Sequence, residues 1–210
     1  MRILLAIALL ITALPARAAD RAGDFTHYVL ALSWNASWCR IEGDARRAEQ
    51  CDPRHDIGFT LHGLWPQRER GWPEYCRTRH SDPSRQQSAS MSDIMGSPGL
   101  AWHQWKKHGR CSDLAAQEYF DLAREAFEMI ERPAVLRKLD KQVRVDPAVI
   151  EKAFLEANPG LRPNQIAVTC RDGLLQEVRI CLSKALVPRA CGARTERGCR
   201  MKSVTLPPMR

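Results

Sequence analysis

The stretch QIAVTCRDGLLQEVRICLSKALV, residues 165–187, reads as a β-hairpin: an apolar run, Asp172-Gly173 as the turn, then a second, alternating run. Working outward, residues 25–34 (FTHYVLALSW) are rich in strand formers, and Tyr28, Leu30, Leu32 and Trp34 share one face at period two, which predicts a core strand. Ile57 to Leu61 is again strand-like, whereas residues 66–101 hold many Pro, Gly, Ser and charged residues and predict loop with short helices. Residues 113–131 predict a helix, with Tyr119, Ala123, Ala126, Phe127 and Ile130 as its apolar stripe and Pro133 beyond its end. Asp146 caps and Pro147 opens a further helix that ends near Asn158-Pro159-Gly160. Strands and helices mix without regular alternation, so the expected class is α+β: a central antiparallel sheet with several helices packed around it, disulfide-stabilised.

The chain has 210 residues, suited to one domain, and 44% hydrophobic with 27% charged residues excludes wholesale disorder. Met1-Arg2 precedes an apolar run from Ile3 to Leu14, too short to span a membrane, and Ala16-Arg17-Ala18 follows as a cleavage pattern. Residues 1–18 therefore read as a secretory signal, and residues 19–210 as a single domain, secreted or periplasmic and free of membrane once the signal is cut. Loss of Arg2 and Arg17 leaves 30 basic against 24 acidic residues, a charge of +6 that suits a polyanionic partner. Export makes Cys39, Cys51, Cys76, Cys111, Cys170, Cys181, Cys191 and Cys199 four disulfides, although spacing alone allows 105 pairings. No C-x2-C pair favours zinc, and no metal or other cofactor is expected. Asn35-Ala36-Ser37 is an isolated glycosylation pattern.

Two motifs carry chemistry. On a strand, FTLHGLWP (Phe59 to Pro66) puts Ile57, Phe59 and Leu61 in the core and Gly58, Thr60 and His62 on the other face. On a helix, WHQWKKHGRC (Trp102 to Cys111) gathers His103, Gln104, Lys107 and His108 within an arc of roughly 140°, opposite Trp102 and Trp105. Gly109 would end that helix as a C-cap. Polar groups with no acid beside them suit an anion. Phosphodiester cleavage wants two imidazoles, one removing a proton from the nucleophile and one protonating the leaving oxygen, with an ammonium stabilising the phosphorane. Attack by a 2′-hydroxyl would restrict the substrate to RNA, and Trp65 could stack on a base. The bland alternatives are an edge histidine, a solvated helix face and a core tryptophan.

At these two motifs the chain resembles the ribonuclease T2 family; GWPEYC (Gly71 to Cys76) and LALSWNASWC (Leu30 to Cys39) match as well. The resemblance implies a secreted, metal-independent endoribonuclease of α+β fold that works through a 2′,3′-cyclic phosphate. Carried over residue by residue, it implies His108 as general base, His62 as general acid and His103 as a phosphate ligand. Lys107 and position 104 would steady the transition state, and Trp65 and Gln67 would bind base. It also implies Cys76–Cys111, Cys170–Cys199 and Cys181–Cys191, leaving Cys39–Cys51. Two positions depart from the family: Gln104 stands where glutamate is usual, and Gln67 where an acid often follows Trp-Pro. An amide hydrogen-bonds but does not ionise, which predicts a slower enzyme, with a catalytically weakened RNA-binding protein as the alternative. The expected partner is RNA and the expected state a monomer. A structural protein with an unused cleft would instead tolerate loss of His62, Lys107 or His108.

Overall fold

A computed structural model describes residues 20–192, 195 and 197–210; the segment read as a signal lies outside them. Six strands and six α-helices are present among the described residues: β1 (His27–Trp34), α1 (Asn35–Trp38), β2 (Phe59–Gln67), α2 (Arg85–Ala89), α3 (Ser92–Met95), α4 (Pro98–Lys107), α5 (Ala116–Glu128), β3 (Val143–Val145), α6 (Pro147–Ala157), β4 (Ile166–Arg171), β5 (Leu174–Leu182) and β6 (Val204–Leu206). None of the described helices is long and apolar enough to cross a membrane.

The hairpin at residues 165–187 is the β4–β5 pair, joined through Asp172 and Gly173 at φ 52° and 79°. Two positive φ values in a two-residue turn match the right-handed twist of the flanking strands. β5 also pairs antiparallel with β1, and β1 with β2, so the sheet runs β2-β1-β5-β6-β3 with β4 on β5. The pairing is antiparallel throughout except at Leu174, which meets Thr205 of β6 in parallel. The fold is α+β.

One face of β1 (Tyr28, Leu30, Leu32, Trp34) forms the core with Tyr119, Phe120, Ala123, Ala126 and Phe127 of α5 and with Ile150 and Phe154 of α6. α6 begins as its sequence predicts, with the Asp146 carboxylate accepting from the Ala148 N–H at 2.8 Å and Pro147 in the first turn. Residues 66–101 are loop with the short helices α2 and α3, as their composition predicts, between the end of β2 at Gln67 and the start of α4. Four disulfides join Cys39–Cys51, Cys76–Cys111, Cys170–Cys199 and Cys181–Cys191, the set implied by the family resemblance. Asn35 is fully buried and exchanges hydrogen bonds with Gln50, so its side chain is a structural group.

Two details of the second motif differ from the helical-wheel reading. Trp105 is buried, but Trp102 is 43% exposed, with the Lys106 ammonium over its ring. Gly109 is not a left-handed cap: α4 ends at His108, whose φ is −119°, and Gly109 opens a tight turn. Its missing side chain serves packing, because a Cβ there would lie 2.6 Å from Trp105 and 2.8 Å from Tyr119.

Candidate active site

The site is built on the sheet face opposite the core, and a β-bulge positions its first histidine. Between β1 and β2, Ala31 pairs with Gly63 and Leu32 with Leu61, so His62 is the extra residue with no partner on β1. A bulge bends its strand and re-aims side chains. Without it, His62 and Trp65, three residues apart, would point to opposite faces. With it, Thr60, His62, Trp65 and Gln67 all look away from the core, while Leu61 and Leu64 enter it.

α4 supplies the second wall. Ser97 caps it by accepting from the Leu100 N–H at 3.2 Å, and Pro98 opens it. The buried Trp105 indole donates to Asp82 at 3.0 Å, and Asp82 also pairs with Arg110, which fixes the rotation of α4. Tyr119 of α5 donates its hydroxyl to the Leu64 carbonyl at 2.8 Å, locking α5 to β2. The Cys76–Cys111 bridge straps residues 71–76 across the end of α4, where the Tyr75 N–H donates to the Lys107 carbonyl at 2.9 Å.

The two motifs meet directly. The Trp65 indole N–H donates to Gln104 Oε1 at 2.8 Å, and Gln104 is 2% exposed. Gly63 makes this contact possible: a Cβ there would collide with Gln104 Oε1 and fall 2.5 Å from Trp65 Nε1. The His62 and His108 rings both pack against the Trp65 indole, with centroids 5.1 and 5.4 Å from it. His62, Trp65, Gln104, Lys107 and His108 line one cleft of about 340 Å³, with Gln67 and His103 at its wall. A larger hollow of about 650 Å³ continues past His62 and His103 toward Ser33, Thr60 and Arg171.

The electrostatics divide the histidines. His108 is 7% exposed, and burial, reinforced by Lys107, His62 and His103, lowers its pKa to about 3. It is therefore a neutral imidazole at neutral pH, able to accept a proton. Its Nδ1 is buried without a partner among the described residues. His103 is exposed, yet desolvation and the nearby Lys107 and His62 charges also lower its pKa. Lys107 lies 3.7 Å from Glu74. An anion entering the cleft would relieve this crowding of positive charge.

All seven residues singled out from the sequence (His62, Trp65, Gln67, His103, Gln104, Lys107 and His108) reach this cleft. Trp65 is half-buried, with the Arg179 guanidinium 5.3 Å from its ring centroid on β5's side of the cleft. Two residues escaped the sequence reading. Glu177 of β5 is 1% exposed and its Oε1 lies 2.5 Å from His62 Nδ1; Arg179, two residues on, binds the other oxygen and lines the cleft. The usable signal was an acid and a base at period two, on the strand face opposite Val178 and Ile180.

Comparisons with known proteins show the family to which the chain belongs. The sequence profile of the ribonuclease T2 family matches residues 25–191. A protein named "Ribonuclease" from Aeromonas hydrophila is 33% identical over 170 residues, covering 80% of this chain and 76% of that one. Among solved structures, RNase NT in complex with 5′-AMP superposes with a TM-score of 0.65 at 25% identity, covering 89% of this chain and 100% of the other. An RNase-related protein from Calystegia sepium shares the fold, with a TM-score of 0.70 at 21% identity over 89% and 98% of the two chains.

Proposed function

Because the chain belongs to the ribonuclease T2 family and is a ribonuclease acting on RNA, we propose that it cleaves single-stranded RNA internally by transphosphorylation. His108 takes the proton of the ribose 2′-hydroxyl. The 2′-oxygen attacks phosphorus, the bond from phosphorus to the 5′-oxygen breaks, and His62 protonates that oxygen as it leaves. The products are a 2′,3′-cyclic phosphate and a free 5′-hydroxyl. Lys107, His103 and the Gln104 amide hold the phosphate and stabilise the added charge on its oxygens. Trp65 and Gln67 form the wall against which a base lies.

The observation that carries this reading is two imidazoles, from β2 and α4, on one indole and in one cleft with an ammonium. A base must be unprotonated to act, and burial keeps His108 so. The phosphate then offsets the field of the Lys107 ammonium and raises the basicity of that imidazole when substrate is bound. No step uses a metal. Incubating the folded protein with RNA in EDTA should yield cyclic-phosphate ends, and His62→Ala or His108→Ala should each remove most of the activity. RNA that stays intact with folding verified would contradict the reading.

Gln104 favours a second, narrower reading, in which the enzyme is slowed because an amide stands where the family usually has a carboxylate. Binding without turnover, restored by Gln104→Glu, would support its extreme form. The same proposal places the mature enzyme, residues 19–210, outside the cytoplasm as one domain and a monomer. The export pattern at residues 1–18 and four disulfides support that placement. N-terminal sequencing of the exported protein should begin at Ala19, and light scattering should give the monomer mass.

A further inference from the structure

The acid assigned to His62 needs its proton on the nitrogen that faces substrate, and nothing on β2 enforces this. The enforcing group lies two strands away. β1 separates β2 from β5, and on this face it carries only Ala31 and Ser33 beside the bulge. Ser33 pairs with Thr60 on one side and with Glu177 on the other, and Ala31 with Gly63 and Arg179. These small side chains leave a lane across the sheet, and the bulged His62 reaches along it to Glu177.

Glu177 is held from both ends. Its Oε1 faces His62 Nδ1 at 2.5 Å, while the Arg179 Nε donates to Oε2 at 2.8 Å and the Nη2 of the same guanidinium pairs with that oxygen at 2.7 Å. Burial alone would raise its pKa, but the hydrogen bond from His62 and the charges of His62 and Arg179 bring it below the ordinary value. The group is therefore a carboxylate, and a carboxylate only accepts hydrogen bonds. His62 Nδ1 must then carry its proton whether the ring is charged or neutral, and the exchanging proton sits on Nε2.

We propose that Glu177, clamped by Arg179, is the positioning residue for His62: it fixes the tautomer and ring orientation that deliver the Nε2 proton to the leaving 5′-oxygen. During the step that proton moves from Nε2 to the oxygen as the phosphorus–oxygen bond breaks, and the Nδ1–H stays on the ring. Glu177 does not touch the substrate. The proposal rests on His62 being the general acid.

Two substrates separate a positioning role from a structural one. A ribodinucleotide expels a 5′-alkoxide that needs protonation; uridine 3′-(p-nitrophenyl phosphate) expels a nitrophenolate that does not. His62→Ala should lose activity on the dinucleotide and keep most of it on the ester. Glu177→Gln should follow the same pattern, losing roughly 10²-fold or more in kcat on the dinucleotide with little change in KM, and only a few-fold on the ester. If His62→Ala falls equally on both substrates, the acid assignment fails and this proposal with it. If His62→Ala discriminates but Glu177→Gln loses equally on both, or loses nothing, the positioning role alone is overturned. Nitrogen-15 NMR of the unaltered protein decides the matter should Glu177→Gln not fold. With His62 neutral, a proton on Nδ1 supports the proposal and a proton on Nε2 refutes it.

Discussion

Lowering the pH from 7 to 4 should cost this protein about 3 kcal/mol of stability through His108 alone. The unfolded chain protonates this imidazole near its ordinary pKa of 6.5, whereas the folded protein resists until about 3. Between those values the unfolded state binds more protons, so stability rises with pH and is lost as pH falls. Each unit below 6.5 costs about 1.4 kcal/mol, and the two and a half units down to pH 4 give the figure above. The paired carboxylates at Glu177, Asp82 and Asp93, whose pKa values are held low, also lose stability in acid. A comparison with His108→Gln cancels their share, because glutamine does not titrate. Urea unfolding of both proteins at pH 7 and pH 4 gives four free energies. The unaltered protein should lose about 3 kcal/mol more than the variant over that interval. Parallel losses, within about 1 kcal/mol, would mean that His108 is solvated and that burial does not supply its neutral form.

Gly63→Ala should cost about 1–3 kcal/mol in a thermal melt and also lower kcat, because the new Cβ strikes the Gln104 amide and the Trp65 indole. Unchanged turnover would show that the contact between the two motifs is dispensable. Gln104→Glu should raise kcat on a dinucleotide by about tenfold or more, since a carboxylate still accepts from the Trp65 indole and can in addition ionise; a fall would show the amide to be the better group here. Replacing Cys76 and Cys111 together by serine should cost about 2–5 kcal/mol by urea titration, and should raise KM because the strap over Lys107 loosens. Loss of stability with KM unmoved would separate the bridge from the site.

Local chemistry made part of this fold readable. The Asp172-Gly173 turn, the Asp146-Pro147 helix start and the apolar stripe of α5 each depend on neighbours in sequence, and each is where the residues place it. The cleft residues were legible because unusual groups cluster within two short motifs. What escaped depends on long-range geometry. Strict alternation on β2 would set His62 and Trp65 on opposite faces, and only pairing with β1 creates the bulge that unites them. Glu177 is 115 residues from His62, and its role emerges only when β5 lies beside β1. The helical wheel grouped Gln104 and His108 with Lys107 as one polar face, yet Gln104 and His108 are buried against the Trp65 indole while Trp102 faces solvent.

In the proposed reaction the substrate's own 2′-oxygen attacks phosphorus, with His108 and His62 moving the protons. The most direct test is phosphorus-31 NMR of two dinucleotides that differ only in the 2′-hydroxyl at the scissile nucleotide. The ribose form should give a 2′,3′-cyclic phosphate signal, and the 2′-deoxy form should stay uncleaved. Cleavage of the 2′-deoxy form would contradict it.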